Sequence, residues 1–228
     1  MADEAFDEQI SGIAALDHRI SREAYRLVGE RRWVSRDEAA ERLAVGRSVA
    51  AFHLDKLVAA GLLTVRYERV SGRTGPGAGR PAKLYGRSER EFGVSLPPRR
   101  YDLAGSLLAG AIARSEAEGG AIGEAVDAVA RESGERIGTS AKQSAKGPAD
   151  VFEVLAAQGY EPQRQIAEIA LANCPFHSLA AQQRALVCRM NLAFITGILE
   201  GLDETQLIAR PAPEAGLCCV RLAPEADS

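Results

Sequence analysis

The chain has 228 residues, 46% of them hydrophobic and 26% charged, which excludes a disordered or fibrous protein and leaves enough apolar residues for a core. The net charge of −3 is unevenly distributed: residues 1–17 carry five acidic and no basic side chains, residues 18–100 carry 18 Lys/Arg against 9 Asp/Glu, and residues 101–228 carry 10 against 17. A basic block ahead of an acidic one indicates a polyanion-binding domain joined to a domain with another role.

The N-terminal stretch MADEAFDEQI is acidic and lacks the basic and then apolar order of a signal peptide. The most apolar run, at 103–113, is much shorter than the roughly 20 residues that span a bilayer. We therefore expect a cytoplasmic protein with no membrane segment. In that compartment cysteines serve as thiols or metal ligands rather than as a disulfide framework.

Three helices are predicted in the basic block. The segment 21–32 is amphipathic, and Ser35 followed by Glu38 forms a capping box that opens a second helix. A third helix runs from about Arg47 to Ala60, where Gly61 stops it in the left-handed conformation. Residues 44–46 form a tight, glycine-bearing break between the second and third helices. This arrangement indicates a helix-turn-helix.

After Gly61 the hydrophobic period becomes that of a strand. Residues 62–70 and 83–87 are predicted strands, and the glycine-rich segment 71–82 between them predicts a hairpin with a long basic tip, a wing. Four cations lie in or beside this tip, namely Arg73, Arg80, Lys83 and Arg87. The tip lacks the Gly-Lys-Ser/Thr ending of a phosphate-binding loop, so we reject a nucleotide site.

The third predicted helix has two faces at 100° per residue. The inward face comprises Ala50, Leu54, Leu57 and Val58, and the opposite face comprises Ser48, Val49, Phe52 and Lys56. Phe52 contacts either a neighbouring helix or dimer partner, or thymine methyl groups in a major groove, with Lys56 near a phosphate. His53 is expected to pack or to contact phosphate. The expected DNA-binding residues are Arg47, Ser48, Val49, Phe52, Lys56, Arg73, Arg80 and Lys83.

These motifs resemble those of a known family of regulators. The stretch SVAAFHLDKLVAAGLLTV resembles the recognition helix and following strand of ArsR-type winged helix-turn-helix regulators, and GRTGPGAGRPAKLY is similar to the wing of an actinobacterial branch of regulators. The resemblance covers about residues 18–90. It implies a homodimer on double-stranded DNA, with two recognition helices in successive major grooves about one turn apart.

Two prolines in GVSLPPRRYD mark 93–102 as a linker between a winged helix-turn-helix domain, 1–92, and a sensor and dimerisation domain, 103–228. Within the second domain, 138–150 is a predicted loop, and 164–173 fits either a strand or a helix. The other predicted elements are helices at 103–118, 121–137, 151–159 and 182–202 and a strand at 217–222. The expected fold class is α+β, with a second domain of α/β type. No catalytic constellation accompanies His18 or His177, so we expect no enzyme.

All four cysteines lie between 174 and 219. Cys174 and His177 have the spacing of a metal knuckle, and Cys188 lies on the predicted helix 182–202. Cys218 and Cys219 point to opposite faces of the last predicted strand, so one of them is expected to coordinate and the other to pack. A lone cysteine is often a small buried hydrophobe, but this concentration favours a site. Thiolates with one imidazole suit Zn²⁺ or an iron–sulfur cluster.

The pattern NCPF…A…VC…CCV resembles the sensor domain of the repressors of the suf iron–sulfur assembly operon, which carry a cysteine-ligated cluster. The resemblance assigns ligand positions to Cys174, to Cys188 and to the Cys218–Cys219 pair. Those repressors have another cysteine around the position of Ala209–Pro211, where this chain has none. His177 or the second vicinal cysteine would have to substitute, and zinc is the alternative to a cluster.

Together these features predict a dimeric DNA-binding transcription regulator, expected to be a repressor, whose operator binding is tuned by the metal site. One alternative is the same regulator with a structural metal or none, sensing a small organic ligand in its second domain. Another is a protein-interaction scaffold, which the excess of cations in the basic block disfavours.

Overall fold

The computed structural model describes residues 2–68, 81–145, 147–166, 168–214 and 216–224. Two predicted DNA-binding residues, Arg73 and Arg80, lie outside these ranges, as does most of the predicted wing tip. The chain folds into two compact units, Met1–Val94 and Ser95–Ser228, divided within the segment predicted to be a linker. Both units combine helices with antiparallel sheets, so the predicted class α+β is confirmed. The α/β type expected for the second domain is wrong, because its strands pair antiparallel and not parallel.

The described part of the first unit contains helices around a small antiparallel sheet. Its elements are α1 (Ala2–Ala14), α2 (Arg19–Arg31), β1 (Val34–Ser35), α3 (Arg36–Arg42), α4 (Arg47–Ala59), β2 (Leu63–Glu68) and β3 (Ala82–Arg87). The sheet order is β1-β3-β2, and β3 pairs antiparallel with both neighbours. The three predicted helices and the two predicted strands are confirmed, whereas α1 and the two-residue β1 have no predicted counterpart.

Local capping explains where these helices begin and end. The Ser35 hydroxyl accepts a hydrogen bond from the Glu38 backbone N–H at 3.2 Å, which opens α3. After α4, Gly61 has a φ of 75°, as predicted for a left-handed cap. The tight break predicted at 44–46 is present between α3 and α4. There Ala44 takes the left-handed conformation, with φ at 51°, and Gly46 is the extended N-cap of α4.

The predicted inward face of α4 is confirmed. Ala50, Leu54 and Leu57 are fully buried, and they pack with Val28 of α2 and Tyr85 of β3 in the core of the first unit. His53 is also buried, with 6% of its surface exposed. Its Nδ1 lies 2.9 Å from the Ser21 hydroxyl, and its ring stacks on His18 with 4.5 Å between centroids. Packing, one of its two predicted roles, is therefore what His53 does.

The burial of His53 makes the stability of the first unit depend on pH. Burial lowers the pKa of this imidazole, and the charges of His18 and Lys56 lower it further. A folded-state pKa below the unfolded value of about 6.5 means that stability is complete above that pH and is lost as the pH falls. We expect the free energy of unfolding to decrease from about pH 7 to pH 5, and His53→Gln to flatten that decrease.

The fluorescence of Trp33, the single tryptophan of the chain, reports urea unfolding of this unit. The control is His177→Gln, which changes an exposed residue of the second unit and should leave the pH dependence as in wild type. A His53→Gln protein with the wild-type slope would assign the titration to another group.

The second unit is built around a long helix pair and a four-stranded antiparallel sheet of order β4-β5-β7-β6. Its elements are α5 (Tyr101–Glu118), α6 (Ile122–Ser144), α7 (Val151–Ala157), β4 (Pro162–Arg164), β5 (Ile169–Leu171), α8 (His177–Gln182), α9 (Arg184–Gly201), β6 (Leu207–Pro211) and β7 (Val220–Pro224). No described helix is both long and apolar enough to cross a membrane.

Two predictions for this unit are wrong in part. The loop expected from residue 138 begins only after Ser144, because α6 continues along α9. The last strand begins at Val220, so Cys218 and Cys219 precede it instead of lying on it. The ambiguous segment 164–173 contributes the last residue of β4 and all of β5, so its described part contains strand and no helix.

Glycines bring the backbones of α6 and α9 into direct contact. A Cβ on Gly134 would overlap the Phe194 carbonyl and lie 2.8 Å from the Ile198 nitrogen, and a Cβ on Gly197 would overlap the Arg131 carbonyl. Gly138 and Gly201 meet the facing helix in the same way, one turn further along both helices. The contacts advance in the same direction on both helices, so α6 and α9 run parallel. Glycine is needed because no other residue allows so close an approach.

Candidate functional site

The predicted outward face of α4 is exposed to solvent. Phe52 exposes 65% of its surface and Val49 39%, and Ser48 and Lys56 are exposed beside them. The aromatic neighbour of Phe52 is His53 on the same helix, at 5.2 Å between centroids in an edge-on arrangement. Within the described part of the unit, then, no element covers this phenylalanine. A large apolar side chain so exposed on a small helix is a candidate for contact with a partner molecule.

Cations gather where α3, α4 and β3 meet. Arg36, Arg47 and Lys83 line a cavity of about 530 Å³ there, together with Tyr67 of β2. Arg47 is exposed and its Nε pairs with the Asp37 carboxylate at 2.8 Å. Arg36 and Lys83 both pair with Asp55, so three cations face two carboxylates and this edge keeps a net positive charge beside the exposed face of α4.

A hydrogen-bonded group centred on Asp55 fixes the strand β3 against α4. Asp55 accepts from Lys83 Nζ at 2.6 Å, from the Tyr85 hydroxyl at 2.7 Å and from Arg36 Nη2 at 2.9 Å. Burial raises the pKa of this carboxyl, but the hydrogen bonds from Lys83 and Tyr85 and the two positive charges outweigh burial and lower the pKa overall. Lys83, a predicted DNA-binding residue, is thus tied to Asp55, with 23% of its side chain exposed.

In the second unit the structure brings the four cysteines together from three segments. Cys174 lies in the turn after β5, Cys188 on α9, and Cys218 and Cys219 directly before β7. All four are free thiols. Each cysteine shifts the pKa of another, Cys174 with Cys218, Cys218 with Cys219 and Cys219 with Cys188, so the four thiols are close neighbours. The predicted clustering of the thiols is therefore present in three dimensions.

The turn that carries Cys174 is held by buried polar groups. The Asn173 amide donates to the Pro98 carbonyl at 2.9 Å and to the Gly159 carbonyl at 2.6 Å. Arg99 donates to the Asn173 side chain and, at 3.1 Å, to the Cys174 carbonyl. The backbone nitrogen of His177 also donates to the Cys174 carbonyl, at 3.1 Å. These contacts fix the position of the Cys174 thiol relative to the rest of the unit.

A buried chain of polar groups lies behind Cys218. Cys218 is 1% exposed, and its sulfur accepts a hydrogen bond from Asn191 Nδ2 at 3.1 Å. The Asn191 carbonyl oxygen accepts in turn from the Tyr160 hydroxyl. Asn191 and Tyr160 are both buried in the core of the unit. Because a buried amide requires partners, this pair holds Cys218 in a fixed orientation.

The thiols differ in acidity because they interact. Hydrogen bonding to Cys218 lowers the pKa of Cys174, and hydrogen bonding to Cys218 also lowers the pKa of Cys219, to about 6. Burial raises the pKa of Cys188 to about 12, and hydrogen bonding to Cys174 and Cys219 raises that of Cys218. Cys174 and Cys219, whose pKa values are lowered, are therefore the thiols of this group that lose a proton most readily, and the thiolate is the form that binds metal ions.

A cavity of about 510 Å³ opens onto this group, and its lining includes Cys174, His177, Cys188 and Cys219. Four of the five predicted metal ligands thus share one cavity, and Cys218 lies buried beside them. Among the described residues, no three His, Cys, Asp or Glu side chains are already placed to hold one metal ion. The donors are gathered around a common space, and side-chain rotation would be needed to direct them at one centre.

Comparison of the chain with protein-family models, with curated proteins and with solved structures gave no match. The resemblance to ArsR-type regulators therefore stays a prediction, and the functional argument rests on the geometry of the two units.

Proposed function

We propose that the chain is a DNA-binding transcription regulator whose first unit is a winged helix-turn-helix domain. The observation that carries this proposal is the exposed face of α4, where Phe52 projects beside Ser48, Val49 and Lys56. A helix of this kind fits the major groove, where an apolar side chain contacts thymine methyl groups and polar ones contact base edges. The antiparallel pair β2–β3, beside α4, corresponds to the wing.

The distribution of charge within the first unit supports DNA rather than protein as the partner. Residues 18–94 carry 16 Lys/Arg against 9 Asp/Glu, and the five acidic residues of 1–17 reduce the excess over the whole unit to two. The excess of Lys/Arg over Asp/Glu is confined to residues 18–100, and Arg36, Arg47 and Lys83 gather beside α4. Neutralising phosphates is the main source of affinity for DNA, whereas a scaffold that binds protein needs no such excess. A cytoplasmic homodimer that places two copies of α4 in successive grooves completes the proposal.

The test begins with selection of a preferred sequence from random double-stranded DNA. Phe52→Ala is expected to cost about 1–3 kcal/mol of binding free energy on the selected sequence and little on random DNA, because the lost contacts are with particular bases. Affinities are measured at several salt concentrations for both DNAs. Ile208→Ala removes an exposed apolar side chain of the second unit and is the matched control.

Equal losses on selected and random DNA would assign Phe52 to packing rather than to base contact. If the wild-type protein binds neither selected nor random DNA, the alternative of a protein-interaction scaffold is favoured.

We further propose that the second unit binds zinc or an iron–sulfur cluster through its thiols. The donor chemistry fits, because soft thiolates with one imidazole are the ligands that both groups take. Cys174, Cys188 and Cys219 would hold it, and His177, which lines the same cavity, would complete the set. When bound, the group would link the turn after β5, α9 and the segment before β7, so that its loss or oxidation alters the unit and, through it, operator binding.

A further inference from the structure

A second cavity in the second unit meets the same thiols. It has a volume of about 330 Å³ and shares Arg184, Cys188 and Cys219 with the first cavity. The rest of its lining is mainly apolar, with Ala185, Leu192, Pro211, Pro213 and Val220. It therefore lies between the N-terminal half of α9, the end of β6 and the start of β7.

The side chains that line this cavity indicate the size and polarity of a ligand that would fit it. Apart from the two thiols and the arginines, the lining side chains are hydrocarbon or proline rings, so a hydrogen-bonding group on the ligand would lose its water without gaining a partner. A volume of about 330 Å³ is at the lower end of the range for small-molecule sites. The body of the ligand is therefore small and apolar.

Arg184 indicates the charged group of the ligand. It is exposed at the edge of the cavity, and no carboxylate among the described residues forms an ion pair with it. The neighbouring Arg189 differs, because its Nε donates to Asp127 at 2.6 Å. A guanidinium that pairs with no carboxylate in the described ranges, next to an apolar cavity, complements a carboxylate joined to a hydrocarbon body.

We infer that this cavity binds a small apolar carboxylate, with its hydrocarbon body against Leu192 and Val220 and its carboxylate on Arg184. Binding itself does not depend on the proposed function, because it needs neither DNA nor metal. A ligand in this place would touch Cys188 and Cys219, and only that consequence for the thiol site rests on the proposed function.

The experiment is calorimetric titration of the full-length protein, as purified and after chelation, with decanoate and with decanol below their aggregation concentrations. Both probes have ten carbon atoms in an unbranched chain, and only decanoate is charged. Decanoate is expected to bind about tenfold more tightly than decanol, and Arg184→Gln is expected to remove that difference while decanol affinity is retained. Ala185→Phe, which fills the cavity from the exposed start of α9, should abolish binding of both.

Arg136→Gln, which removes an exposed arginine of α6 away from the cavity, is the matched control and should behave as wild type. Ala185→Leu is a milder filling variant, to be used if the phenylalanine variant unfolds. The inference is overturned if wild type does not bind decanoate, if decanol binds equally well, or if a folded filling variant binds decanoate as wild type does. These outcomes do not depend on metal content or DNA affinity. A failure of this inference can therefore be distinguished from a failure of the proposed function.

Discussion

Gly197→Ala is expected to destabilise the second unit by about 3 kcal/mol or more, at the upper end of the cost of inserting a methyl group into a packed interface. The added Cβ would overlap the Arg131 carbonyl and lie 2.9 Å from the Glu135 nitrogen. Both are backbone atoms of α6 and cannot rotate away. The two helices would have to separate along their length, and domains of this size have only about 5–15 kcal/mol of stability to lose.

The measurement is urea unfolding followed by far-ultraviolet circular dichroism, which reports the long helices. Trp33 fluorescence, which reports the first unit, should not change. Gly105→Ala places the same methyl group on α5, where no atom lies within 4 Å, and should stabilise by up to about 1 kcal/mol. A Gly197→Ala protein as stable as wild type would show that α6 and α9 do not approach each other this closely.

Protein purified without oxygen is expected to carry zinc, or iron with sulfide, and Cys174→Ser, Cys188→Ser and Cys219→Ser are each expected to lose most of it. Each of these thiols lines the common cavity, so its loss removes one donor. Cys218→Ala should keep the metal, because this sulfur is buried against Asn191. The contrast between Cys218 and Cys219 is a matched comparison of adjacent cysteines.

Metal and sulfide analysis with absorption spectra would decide between the two groups, and operator affinity of the same samples would test the coupling. Loss of metal from His177→Gln would identify the imidazole as the fourth ligand. Wild-type protein without zinc or iron, or cysteine variants that bind DNA as wild type does in every redox state, would reduce the thiol group to core packing.

The parts of the fold that were predictable are those decided by neighbouring residues. The hydroxyl of Ser35, the glycine at 61 and the inward stripe of α4 act within one or two turns, so the sequence reveals them directly. The end of α6 was not predictable in this way. Residues 138–144 look like a loop by composition, and they are helical because Gly138 meets Ile198 on a distant helix.

The candidate thiol site was also predictable only in part. The spacing of Cys174 and His177 and the cysteine pair before β7 are visible in the sequence, and the structure places them around one cavity. The residues that support the site, Asn173, Asn191 and Arg99, could not be identified from the sequence. A single polar residue in a helix or turn forms no recognisable sequence pattern. Only the tertiary fold shows that the Asn191 amide meets Cys218.

The parallel contact of α6 with α9 also sets the order in which the second unit matures. Between the two helices the chain forms α7, β4, β5 and α8, so the partner of α6 leaves the ribosome long after α6 itself. Such non-local pairings slow folding, and the nascent glycine face cannot be covered before Gly201 has emerged. The second unit is therefore expected to complete its folding only near the end of translation and to rely on chaperones until then.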